Sequence, residues 1–173
     1  MRQGKRQPPA SKIRILGIDP GSQATGYGVI EKDGSRLTFV ACGVIRTSAR
    51  QTFPERLKEI HAGICEVIEK YRPDRAAVEE VFVSVNPRSA LKLGHARGVV
   101  ILAVMQHDLA LHEYSTRIVK QGVVGYGQAT KAQVQHMVRV LLNLSATPSH
   151  DAADALAIAL FHANHNQSGL IVK

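Results

Sequence analysis

The spacing of hydrophobic positions changes several times along the chain, and each change marks an element. Residues 13–18 form a short apolar run that suits a buried central strand, and the turn signal Asp19-Pro20-Gly21 closes it. Asp19 is thereby placed at a strand end. Residues 26–31 and 36–45 predict two further strands joined through Asp33-Gly34, a dipeptide favoured in hairpin turns, so the chain opens with an antiparallel meander. A helix follows. Thr52 and Glu55 make a capping box, Pro54 lies in the first turn, Leu57, Ile60, Ile64, Val67 and Tyr71 form an apolar stripe, and Arg72-Pro73-Asp74 ends it.

The second half alternates helix and strand. Residues 76–83 are apolar apart from Glu79-Glu80 and predict a strand carrying carboxylates in its middle or at its exit, where buried strands seldom place charge. Residues 89–106 predict a helix with small residues at Gly94 and Gly98, residues 111–115 a strand, and the glycine-rich stretch 122–127 a loop. Thr130 and Gln133 form a second capping box for a helix through Leu142, and Ser149 caps a last helix to about Ala163. The expected architecture is α/β and RNase H-like: a mixed five-stranded sheet, antiparallel first and then alternating helix and strand, flanked by helices. It occupies residues 13–165. Residues 1–12, with four Lys or Arg and two prolines, are expected to be a disordered basic tail, and residues 166–173 a C-terminal tail.

Composition narrows the function classes. A chain of 173 residues with 45% hydrophobic content is sized for one domain with a real core. Cys42 and Cys65 show neither a disulfide framework nor metal-type spacing. The longest apolar run, residues 99–105, is far shorter than the roughly 18 residues of a membrane span, and the N-terminus lacks a secretory signal. A soluble, cytoplasmic protein with no membrane partner is expected. The net charge of +8 favours a polyanionic partner. Setting Asp19, Glu79, Asp151 and Asp154 aside as one cluster leaves ten acids against 22 bases. A positive body around a negative pocket suits a nuclease, with the body holding phosphates and the pocket holding cations.

Asp151 and Asp154 lie three residues apart and project from one face at the start of the last helix, whose N-terminus favours negative charge. First-turn aspartates are common helix starters, but the surrounding Ala-Ala-Asp-Ala-Leu-Ala-Ile-Ala lets the helix lie tightly on a sheet and turns both carboxylates inward. Asp19 meets them across the sheet, and Glu79 or Glu80 arrives from a neighbouring strand. Carboxylates without Cys or clustered His select Mg²⁺, with Mn²⁺ as a substitute, over Zn²⁺. The implied chemistry is phosphodiester hydrolysis assisted by two ions.

These residues carry a resemblance. ILGIDPGS (15–22) with TGYGVI (25–30), VEEVF (78–82), ALKLGHARG (90–98), VKQ (119–121), KAQVQHMV (131–138) and DAADALA (151–157) together resemble the bacterial RuvC family of crossover, or Holliday, junction endodeoxyribonucleases, over residues 13–162. The resemblance implies catalytic and metal-binding positions at Asp19, Glu79, Asp151 and Asp154. It also implies a homodimer, symmetric nicking of four-way junctions in recombination and repair, and cooperation with RuvA and RuvB. Its register selects Glu79 over Glu80, a choice strand parity alone leaves open. His150, beside Asp151, is a further candidate ligand or else an exposed neighbour of the cap.

The same resemblance places Lys120 and Lys131 near the scissile backbone, where they are expected to contact phosphate; by themselves they read as solubilising surface. Arg88, Lys92 and Arg97 extend the basic side as further DNA-binding candidates, with facing that sequence does not fix. Phe82 either stacks on an unpaired base or closes the core. Gly94 and Gly98 permit close approach to the protein's own sheet or to a partner helix. An ATP-binding module of the actin and sugar-kinase type also has an Asp-x-Gly loop after its first strand, but needs two subdomains, and this chain holds one. Another RNase H-like nuclease and a non-catalytic junction-binding protein are the remaining alternatives.

Overall fold

Alternate facing along the first strand divides the protein into two cores. In the computed structural model, which describes residues 12–80 and 86–165, β1 (Ile13–Asp19) sends Leu16 and Ile18 to one side of the sheet and Ile15 to the other. It pairs antiparallel with β2 (Ala24–Asp33), which pairs antiparallel with β3 (Arg36–Arg46), and parallel with β4 (Arg75–Glu80), which pairs parallel with β5 (Ala110–Ser115). The order β3-β2-β1-β4-β5 is the mixed, five-stranded RNase H-like sheet the sequence predicts. The turn between β2 and β3 falls at Gly34-Ser35, one residue later than expected, with Gly34 at φ +60°.

Parallel strands need crossover segments, and α1 (Phe53–Tyr71) and α2 (Pro87–Gln106) supply them on one face. The Thr52–Glu55 capping box forms, and Ile60, Ile64, Val67 and Ile68 are buried with Leu16, Ile18, Val29, Ala76 and Val78. The opposite face carries α3 (Thr116–Val124), α4 (Lys131–Leu141) and α5 (His150–His165) over Ile15, Ile30 and Ala77. The Thr130–Gln133 box also forms, and Ala153 donates its backbone N–H to the Ser149 carbonyl at the start of α5.

Helix α3 takes in the first three residues of the expected loop over 122–127, leaving 125–127 outside the helix. Gly122 is helical and packs beneath Phe161, where a Cβ would stand 2.4 Å from a ring carbon, and the helix ends only at Gly125, with φ 103°. Glycine serves close packing at the first position and a left-handed cap at the second. Of the expected tail 1–12, only Lys12 is among the described residues, and its ammonium lies 3.2 Å from Glu31. Among the described residues no helix is long and apolar enough to cross a membrane.

The helix that matters most is α5. Eleven of its residues are buried, most of them alanine, because it lies almost directly on the backbone of β1 and β2. Cβ atoms at Gly17, Gly26 and Gly28 would fall 2.1 Å from the Ala155 carbonyl oxygen, 2.0 Å from that of Asp151 and 2.7 Å from the Leu156 side chain. Gly17→Ala should therefore lift the helix and destabilise the protein by about 3 kcal/mol, the upper end of overpacking costs. Urea unfolding measures this, and an unchanged midpoint would show that the helix and sheet do not meet so closely.

Candidate active site

The face that decides where Ile15 and Gly17 point also decides where Asp19 points, two residues further on. Ala77 and Glu79 stand in the same relation on β4, and the β1–β4 register runs through Ile18 and Val78, so the two carboxylates leave adjacent strands toward the α3–α5 side. Glu80 belongs to the opposite parity and is exposed. Strand geometry thus turns Glu79, and not Glu80, toward the cleft, a facing that parity alone leaves open.

Asp154 descends on the same place from α5. Asp19, Glu79 and Asp154, with Thr116, Lys120 and Lys131, line a cleft of about 260 Å³ whose floor is apolar. Asp151, one turn before Asp154, stands at the edge over Gly26 and is close enough for its charge to act on Asp19. Crowding has electrostatic consequences. Burial, reinforced by the charge of Glu79, a hydrogen bond with Glu79 and the charges of Asp154 and Asp151, pushes the Asp19 carboxyl up to about 9. Burial also raises Asp154, with Glu79 and Asp151 adding to the effect and Lys131 and Lys120 opposing it. The Lys131 ammonium stands 3.9 Å from the Asp154 carboxylate.

The donor set fits a hard divalent cation. Its members are carboxylate oxygens, no thiol lines the cleft, and the negative charges repel one another unless a cation joins them. Among the described residues no three His, Cys, Asp or Glu side chains are drawn together as a ready ligand set.

The other candidates fall into place around this cleft. Lys120 lies on α3 and Lys131 begins α4, so both are mounted on helices flanking a short connection. His150 is exposed at the start of α5 and does not line the cleft. Arg88 is exposed in the first turn of α2, and the Lys92 ammonium stands 5.8 Å from the centre of the Phe53 ring. Arg97 turns inward, donating from Nε to the Glu79 carbonyl at 3.2 Å and pairing with Glu113. None of these three lines the cleft. Phe82 lies outside the described residues. Sequence reasoning missed Thr116, whose hydroxyl donates to Glu79 Oε1, because it assigned no element to residues 116–121. Ser115, the N-cap, was the available signal.

The Asp19 shift has a testable sign. Its folded pKa lies above the ordinary 3.8, so the stability associated with a neutral carboxyl is complete below that value and is lost as pH rises toward about 9. In chelator, wild-type protein should lose melting temperature between pH 5 and 9 relative to Asp19→Asn, whose amide stays neutral. Parallel curves would mean that Asp19 is not strained by its neighbours.

The family profile described as crossover junction endodeoxyribonuclease RuvC matches residues 15–162. The protein of that name from Cronobacter sakazakii is 58% identical over 154 residues, covering 89% of this chain and 88% of its own. Among solved structures, Thermus thermophilus RuvC in complex with Holliday junction substrate superposes with a TM-score of 0.81 at 38% identity, covering 87% of this chain and 93% of that one. The yeast mitochondrial resolvase Ydc2, at 14% identity and TM-score 0.64 over 92% of this chain and 80% of its own, shares the fold.

Proposed function

The chain belongs to the RuvC family, and from that premise we propose that it nicks four-way DNA junctions by metal-assisted phosphodiester hydrolysis at the carboxylate cleft. The observation that carries this reading is the meeting of Asp19, Glu79 and Asp154, from three different elements, in one cleft that also holds two lysines. Asp19, Glu79, Asp151 and Asp154 are the catalytic side chains and would hold Mg²⁺, with Mn²⁺ as a substitute. Two such ions would activate the attacking water and stabilise the leaving oxygen of an in-line displacement. The protein's own part is to hold four carboxylates on rigid elements and to bring phosphates to them. Lys120 and Lys131 take the phosphates nearest the cut, and the surrounding excess of base over acid holds the junction arms.

Paired symmetric nicks need two cleavage sites related by a two-fold axis, so the working form is a homodimer. The outer face of α2 supports this. Gly94 and Gly98 have open space where a Cβ would stand, so they do not serve contact with the protein's own sheet. Beside them Leu91 and Leu102 are at least half exposed along a groove of about 840 Å³, and Met105, three residues further on, is half exposed as well. An apolar helix face with small residues at its centre suits a second copy of itself. The family resemblance extends the proposal to joint action with RuvA and RuvB in the cytoplasm.

Two experiments test the reading. A synthetic four-way junction should be nicked in Mg²⁺ and not in chelator, and linear duplex or RNA–DNA hybrid should be poor substrates; equal cutting of all three would indicate a different RNase H-like nuclease. In that assay Glu79→Gln should lower the rate by orders of magnitude across a Mg²⁺ titration while Glu80→Gln stays near wild type, and the reverse result would remove Glu79 from the site. Separately, Leu91→Glu with Leu102→Glu should yield a folded monomer in analytical ultracentrifugation that no longer cuts both strands of one junction. An intact dimer would move the interface elsewhere.

A further inference from the structure

Glu79 differs from the other cleft carboxylates in how it is held. Asp19 and Asp154 have short side chains on a central strand and a buried helix. Glu79 is longer and stands one residue before the last described position of its strand. A glutamate side chain loses much rotamer freedom when it is fixed. A ligand that must be ordered as the ion arrives binds it less tightly than one already ordered.

The protein orders it beforehand. β5 runs parallel to β4 with Tyr114 in register with Glu79 and Ser115 with Glu80, so the chain leaving β5 passes directly beside the carboxylate. There Ser115 caps α3 through the Ile118 N–H, and Thr116, the first helical residue, turns its hydroxyl to Glu79 Oε1. The donor is neutral and the acceptor charged, the stronger kind of hydrogen bond. Thr116 is β-branched and therefore stiff at χ1, which limits where the hydroxyl can go. From behind, Arg97 fixes the Glu79 main-chain carbonyl while its guanidinium is tied to Glu113.

We propose that Thr116 is a positioning residue that fixes the Glu79 carboxylate through Oε1, in the cleft where that side chain would hold a divalent ion. This rests on the reading of Glu79 as a metal ligand. Hydrogen bonds to ligating carboxylates set metal affinity, and losing one typically costs 10- to 100-fold in affinity or activity. Because Thr116 carries no charge, its removal leaves the electrostatic balance of the cleft unchanged, and the effect travels through the geometry of Glu79.

Thr116→Val preserves shape and branching but removes the donor, and Thr116→Ser keeps the donor. Mn²⁺ binding to the DNA-free dimer by isothermal titration calorimetry should weaken about tenfold in Thr116→Val, with a matching rise in the Mg²⁺ concentration for half-maximal junction nicking. Saturating Mg²⁺ should restore most of the rate. Thr116→Ser should bind Mn²⁺ within about threefold of wild type, and thermal melting in chelator should be unchanged for both variants. Unaltered Mn²⁺ binding in Thr116→Val, or a weakening shared equally by Thr116→Ser, would overturn the proposal. Glu79→Gln in the same titration separates the layers. If it binds Mn²⁺ as wild type does, the ligand reading fails and the proposal with it; if it loses binding while Thr116→Val does not, only the positioning role fails.

Discussion

Backbone against backbone is the contact on which this structure depends. Gly17, Gly26 and Gly28 clear the sheet of side chains where α5 crosses it, and the alanines of α5 clear the helix. A Cβ on any of the three glycines would require the helix to move. The gain is positional. A helix seated on ordinary valine or isoleucine side chains would stand farther from the sheet, because those side chains would fill the space that the glycines leave open. Asp154 would then not reach the cleft formed by Asp19 and Glu79. The glycines that look like weak points in strands are the condition for the carboxylates meeting.

That meeting is electrostatically unfavourable, and the protein does little internally to relieve it. Asp19 keeps its proton far above the ordinary range because of burial and because Glu79, Asp154 and Asp151 surround it. The nearby lysines only partly offset this, since the side chain of Lys131 is largely exposed and its ammonium stands at the edge of ion-pair distance from Asp154. A cluster so arranged gains most from a divalent cation, and helices α3 and α4 place cationic side chains in the same cleft, where the proposed reaction calls for phosphate to be held. Stability and chemistry pull against each other here, as they commonly do where carboxylates are forced together.

Helix α2 joins the two other requirements of the proposed reaction. Its inner face closes one core with Ala96, Val100, Ala103 and Val104, its outer face offers the apolar groove, and Arg97 between them reaches the main chain of Glu79. The element read as the dimer surface is thus in direct contact with a strand of the cleft.

Much of this was legible along the chain. Short apolar runs, the Thr52 and Thr130 capping boxes and the breaks at Asp19-Pro20 and Arg72-Pro73 define elements through local chemistry, which a linear sequence carries in full. Asp151 and Asp154 share a helix face by spacing alone, and the combination of motifs is distinctive enough to identify the family. What sequence left open depended on facing and distance. Glu79 and Glu80 are equivalent until one knows that Ala77 lies under α5 and Val78 under α1 and α2. Gly122 signals a loop until Phe161, nearly forty residues away, is seen packed over it. Arg97 reads as one more surface base until the Glu79 carbonyl and Glu113 are found beside it. In each case the deciding partner is remote in the chain, and only the packing of α5 and α2 on the two faces of the sheet brings it into contact.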